Sequence, residues 1–126
     1  MGLSPKLWGK EGWRFIHFVA VTYQPSKKEE YLKFFQNLPE ILPCPVCGEH
    51  FKQNMAKLPP RMDSNQTLFE WSVDMHNLVN KKIYTYDQAY KEMFPEKKGY
   101  VVSDFANGIL LSTAVLGILV FLTRKK

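Results

Sequence analysis

Residues 31–51 read YLKFFQNLPEILPCPVCGEHF, and the spacing ahead of the two cysteines governs the architecture. Tyr31, Phe34, Phe35 and Leu38 recur at the i, i+3, i+4, i+7 interval of an amphipathic helix, not at the alternation of a strand. Pro39 and Pro43 bracket a break. Cys44-Pro-Val-Cys47 then opens another helix, whose inward stripe is Cys47, Phe51, Met55 and Leu58. A thioredoxin-type fold also carries C-P-x-C, but directly after a β-strand, and no segment of this chain supplies the sheet. The pair therefore belongs to an all-helical protein.

The helical period continues outward. Ser4-Pro5 places a cap before a proline at the first helical position and opens a segment to about Thr22, with Trp13, Ile16, His17 and Ala20 on one face. Tyr23-Gln-Pro25 stops it, and Ser26-Lys-Lys-Glu29 reads as a capping box for the next helix. Beyond Pro59-Pro60 and the polar loop Asp63-Ser-Asn-Gln66, a helix spans about Thr67 to Asn80, with Leu68, Trp71, Met75 and Leu78/Val79 on one side. Thr85-Tyr-Asp-Gln88 is a second capping box, starting a short helix with Ala89, Tyr90, Met93 and Phe94 inward. The predicted fold is all-α, a four-helix bundle plus a short fifth helix over residues 1–98. A linker over 99–104, a single transmembrane helix over 105–123 and a basic tail at 124–126 follow.

The span is FANGILLSTAVLGILVFLT, nineteen residues without a charge. At about 1.5 Å per residue it reaches roughly 28 Å, close to the ~30 Å hydrocarbon core of a bilayer. The competing reading, a buried core helix, fits less well because the stretch has no polar face. Arg124, Lys125 and Lys126 suit the headgroup region and supply three of the five net positive charges. The remaining lysines are scattered among acids, some as the pairs Lys27–Lys28, Lys81–Lys82 and Lys97–Lys98, so the basic balance marks a membrane flank and gives no support to nucleic-acid binding. The first residues lack the apolar run of a secretory signal peptide. The expected placement is anchoring by the C-terminus, with the folded domain in the cytoplasm.

At the start of a helix, Cys-x-x-Cys brings two sulfurs within disulfide range, and the unpaired backbone N–H groups lower the thiol pKa. Three readings stay open on these residues alone: a redox pair, half of a metal site, or two inert thiols. The metal reading would draw on His50 with His17 or His76, giving a zinc-binding membrane adaptor built on Cys44, Cys47, His50 and His76. Around the pair stand Trp13 and His17, four apart on one helix, and the run His76, Asn77, Asn80 on another. A lone histidine on an apolar face is ordinarily a satisfied core residue; three histidines and a tryptophan beside a redox pair fit that reading less well.

Three linked motifs, W-G-x-x-x-W-x-x-x-H (Trp8 to His17), P-C-x-x-C (Pro43 to Cys47) and W-x-x-x-x-H-N-x-V-N (Trp71 to Asn80), resemble the Erv/ALR family of FAD-linked sulfhydryl oxidases. The match runs over about residues 7–94, and the small size is similar to versions encoded by large cytoplasmic DNA viruses, which implies a late, virion-associated protein. The resemblance implies a homodimeric thiol oxidase with FAD at the mouth of the bundle. It uses dioxygen as acceptor and produces hydrogen peroxide. It makes Cys47 the cysteine beside the flavin and Cys44 the outer one that meets substrate. Gly9, Lys10, Trp13, His17, Tyr23, His76, Asn77, Val79, Asn80 and Lys82 become the cofactor-binding set, with Lys10 and Lys82 as its basic members. The chain departs from the family pattern in having two cysteines in all. It lacks the distal shuttle pair, which implies a separate thioredoxin-like dithiol carrier as partner.

Overall fold

A computed structural model describes residues 2–80 and 83–106, leaving aside the side chains of Asp104 and Ala106. Among these residues the elements are all helical. α1 is Pro5–Val21, α2 Lys28–Ile41, α3 Pro45–Lys57, α4 Asn65–Asn80, α5 Tyr86–Met93 and α6 Val102–Ala106. The first four form the bundle: α1 packs along α4, α2 along α3, and α3 closes onto α4, while α5 lies across α1 and α4.

The ends of the helices follow from local chemistry. Ser4 Oγ accepts from the Lys6 amide at 3.3 Å and Pro5 takes the first helical position, where no N–H is needed. Thr85 and Gln88 form the predicted reciprocal cap, with both bonds at 3.0 Å. The matching pattern at Ser26–Glu29 forms no such cap. Pro25 fixes φ for a 3₁₀ turn over Pro25–Lys27, and α2 starts from Lys27 without a side-chain cap. α4 begins at Asn65 rather than Thr67, because Ser64 Oγ accepts from the Thr67 amide at 3.1 Å and Asn65 Nδ2 donates to the Val21 carbonyl at 3.0 Å.

Pro39 does not break α2, which continues to Ile41. A proline here forfeits the hydrogen bond to the Phe35 carbonyl, and burial where α2 meets α3 keeps it in the helix. A side chain at Gly48 would overlap the Pro39 carbonyl, so the bare glycine sets how closely the start of α3 seats on α2. That seating fixes the position of Cys44 and Cys47.

α4 is the central helix. Leu68, Phe69, Trp71, Ser72, Val73 and Met75 are all buried, and Trp71 Nε1 donates to the Leu58 carbonyl at 2.9 Å. Leu78 and Val79, predicted to be inward, are exposed at 48% and 39%, because the last turn of α4 projects past the elements that cover its middle. The chain after α5 folds back on the bundle. Tyr100 stacks on Phe69 at 5.8 Å, and Phe105 on α6 is buried 5.6 Å from the same ring. Gly99, at φ +146°, makes the bend, and a side chain there would meet Asp87. Among the described residues no helix is long and apolar enough to cross a membrane. The predicted span from residue 107 onward, the basic tail and Lys82 lie outside the described residues.

Candidate active site

Cys44 and Cys47 are joined as a disulfide across the start of α3, with Cα atoms 5.2 Å apart. Cys44 is the N-cap residue, and its Sγ accepts from the Cys47 amide at 3.2 Å. When the bond opens, this N–H and the helix dipole are in place to stabilise negative charge on sulfur. The two sulfurs face different surroundings. Cys47 lies on the wall of a large cleft; Cys44 sits outside it, between Pro43 and Pro45.

The cleft holds about 1060 Å³ and opens between α1, the start of α3 and the end of α4. Its walls are flat and aromatic. The Trp13 and His76 rings stack at 4.3 Å with 8° between planes, Tyr84 stacks on the other side of His76 at 5.5 Å, and Phe51 lies 6.1 Å from Trp13. Trp8 and Phe34 extend the surface, and Lys10, Arg14 and Asn80 bring polar groups to it. Arg14 is held by the Glu92 carbonyl at 2.7 Å and lies over the Phe18 ring.

Behind the wall is His17, 5% exposed between α1 and α4. Its Nδ1 lies 2.8 Å from Ser72 Oγ and its Nε2 3.2 Å from His76 Nδ1. Burial, with His76 adding to it, pushes the His17 pKa down to about 3. The ring is neutral at neutral pH.

Of the residues proposed from sequence, the fold gathers Gly9, Lys10, Trp13, His17, Cys47, His76, Val79 and Asn80 on one cleft. Tyr23 is elsewhere: it is buried, donates to the Met62 carbonyl at 2.8 Å and packs edge-on to Tyr31. Asn77 also turns away and pairs with the Tyr84 backbone, accepting from its N–H at 2.8 Å and donating to its carbonyl at 3.0 Å. It thereby fastens the loop that delivers Tyr84 to the cleft. The sequence reading did not include Ser72, Arg14, Tyr84 or Phe34 in the site. Ser72 gave one signal, a polar residue four before His76 on an otherwise apolar helix face. The zinc reading finds no site. His50 is exposed on α3, His76 bonds to His17 and Asn80, and no three ligating side chains converge among the described residues.

A helical bundle that seats a disulfide at a helix N-terminus, one sulfur against a large aromatic cleft, defines a helical redox protein with room for a planar ligand. The Erv1 / Alr family profile matches residues 10–98, and the chain belongs to that family. It is 35% identical over 111 residues to a probable FAD-linked sulfhydryl oxidase of Acanthamoeba polyphaga mimivirus, covering 76% of this chain and 78% of that protein. A putative FAD-linked sulfhydryl oxidase of Invertebrate iridescent virus 3 is 33% identical over 100 residues, covering 75% and 68%. The fold matches the crystal structure of the yeast Erv1 core with a TM-score of 0.65 at 24% identity, over 78% of this chain and 90% of that one.

Proposed function

We propose that this chain is a thiol oxidase that forms disulfides in protein substrates, passes the electrons to dioxygen and releases hydrogen peroxide. It is an FAD-linked sulfhydryl oxidase of the Erv1 / Alr family, as its viral relatives are named. The observation that carries the reading is Cys47, half of a disulfide, on the wall of the aromatic cleft. The cleft fits FAD. Its volume is at the upper end of the ~300–1,000 Å³ usual for small-molecule sites, its walls are flat rings, and Lys10 and Arg14 supply positive charge for a pyrophosphate. Trp13, His76, Val79 and Asn80 would hold the cofactor, with Gly9 leaving its approach open and His17 backing the wall. Tyr23 and Asn77 would act from behind, through packing and through Tyr84. When bound, FAD accepts the electron pair of the dithiol and gives it to dioxygen.

The chain's own part is thiol exchange. A substrate thiolate attacks Cys44 Sγ, the Cys44–Cys47 bond breaks, and Cys47 leaves as a thiolate. A second substrate thiolate then attacks the substrate sulfur of the mixed disulfide, so that the substrate leaves oxidised and Cys44 leaves as a thiolate. The net reaction is two thiols plus O₂ giving one disulfide plus H₂O₂. Both cysteines belong to the pair, so electrons arrive from another molecule, and a small thioredoxin-like dithiol carrier suits Cys44, which is partly buried between Pro43 and Pro45. The enzyme acts as a homodimer, for which Leu7, Phe15 and Ile41, 60–70% exposed on α1 and α2, offer an apolar surface. Residues 107–123 anchor it to a host or virion membrane, with the catalytic domain on the cytoplasmic side; Phe105, the expected start of the span, packs against Phe69 and belongs to the folded domain.

The test is made on the purified full-length chain in detergent. A yellow preparation that consumes one O₂ and releases one H₂O₂ per dithiothreitol oxidised is expected. A colourless protein without oxygen uptake contradicts the reading.

A further inference from the structure

The two histidines behind the cleft belong to a longer chain of hydrogen bonds, and one arrangement of protons satisfies all of its contacts. At the buried end, Ser72 Oγ donates to the Phe69 carbonyl at 2.6 Å and lies 2.8 Å from His17 Nδ1. At the outer end, the Asn80 side-chain amide donates to His76 Nε2 at 2.7 Å. Between them His17 Nε2 and His76 Nδ1 are 3.2 Å apart.

A hydroxyl has one hydrogen. With it on Phe69, the shorter of its two contacts, Ser72 accepts from His17, and His17 carries its proton on Nδ1. The neutral ring then has an acceptor at Nε2, so His76 must hold its proton on Nδ1 to donate there. That leaves His76 Nε2 as an acceptor. The outer end is in keeping with this: the Asn80 amide nitrogen donates to His76 Nε2, whose proton then sits on Nδ1. A second proton on His17 would set one N–H against another in a buried site, which agrees with the burial that keeps this ring neutral.

We propose that Ser72 is a positioning residue that selects the Nδ1–H tautomer of His17 and, through it, of His76, and so holds the His76 ring parallel to Trp13 as one wall of the cleft. Ser72 itself is fully buried one turn before His76 on α4 and does not reach the cleft. Its effect on the wall passes through His17. With an apolar residue at 72, His17 Nδ1 loses its acceptor. The ring can then carry its proton on Nε2, which turns His76 over to its other tautomer, with the exposed Asn80 amide turned to present its oxygen to His76 Nε2–H. The wall would then be shared between two arrangements, and a ligand binding against one of them would bind more weakly.

The consequence for cofactor binding rests on the oxidase reading; the proton arrangement does not. The experiment therefore has two arms. Histidine-ring nitrogen NMR on the full-length protein without flavin should show His17 and His76 both as neutral Nδ1–H tautomers. Ser72→Ala should give mixed tautomers at both rings, and Ser72→Thr, which keeps the hydroxyl, should restore the parent pattern. In the second arm, Ser72→Ala should bind FAD about twofold more weakly, as a wall present in the binding arrangement about half the time requires, with Ser72→Thr near the parent. An Nε2–H tautomer at His17 in the parent would overturn the proposal. So would parent tautomers and parent FAD affinity in Ser72→Ala, a result that does not depend on how the threonine variant folds. A parent chain that binds no FAD would instead overturn the oxidase reading, with the tautomer pattern still judging Ser72.

Discussion

α4 presents polar side chains on two opposite sides, and the two are built on different electrostatics. Toward the cleft stand Ser72, His76 and Asn80, spaced i, i+4, i+8 and joined through His17 by hydrogen bonds between neutral groups. On the far side, two residues round the helix, stand Glu70 and Asp74. Asp74 pairs with Arg61 at 2.7 Å and accepts from Tyr86 Oη at 3.0 Å, and Glu70 accepts from Tyr100 Oη and Gln66. The Arg61–Asp74 side chains are about one-third exposed. Charge stands where solvent and a partner stabilise it. At the buried end of the side toward the cleft, Ser72 and His17 are uncharged, as groups taken out of water at low cost must be. The far side therefore staples α5 and the returning chain to α4, and the near side makes the site.

The comparison breaks most visibly at the disulfide. Cys47→Ser should lower dithiol oxidation by roughly a thousandfold or more while leaving the helical circular dichroism unchanged. Steady-state oxygen uptake measures it, and activity near the parent value would remove Cys47 from the reaction.

A smaller effect comes from His17. Its folded pKa is about 3, against 6.5 for the free side chain, so between these values the unfolded chain binds a proton that the folded one refuses. The stability from a neutral His17 is full above pH 6.5 and is lost as pH falls toward 3, at up to about 1.4 kcal/mol per pH unit. Urea denaturation at a series of pH values checks this. His17→Gln should flatten the slope, and an unchanged slope would place the acid sensitivity elsewhere.

The smallest effect is expected on the far side. Asp74→Asn should cost about 1 kcal/mol or less, as half-exposed ion pairs do, and leave turnover untouched. A large loss of activity would show that the two sides of α4 are coupled.

The near side was partly legible in the sequence because its signals are local. The stripe Tyr31, Phe34, Phe35, Leu38 becomes α2, Cys44–Cys47 opens α3, and Thr85–Gln88 caps α5, each set by residues within one or two turns. Expectations failed where a neighbour outweighed the local pattern. Pro25 pre-empted the cap at Ser26–Glu29, and burial against Gly48 kept Pro39 inside its helix. Leu78 and Val79 are half-exposed at the end of α4, Val79 on the open cleft. The role of Ser72 was not legible, since it depends on His17 arriving from a residue 55 positions away. Tyr23 is placed by the Met62 carbonyl, 39 positions on, which no spacing rule encodes.

The central claim is that the Cys44–Cys47 pair delivers electrons to FAD held in the cleft beside Cys47. Anaerobic titration of the FAD-loaded full-length protein with a dithiol, followed by visible absorption, tests it most directly. The account predicts that the parent flavin bleaches on adding dithiol and regains its colour in air, and that the flavin of Cys47→Ser stays oxidised under the same dithiol. Bleaching of the Cys47→Ser flavin at the parent rate would contradict it.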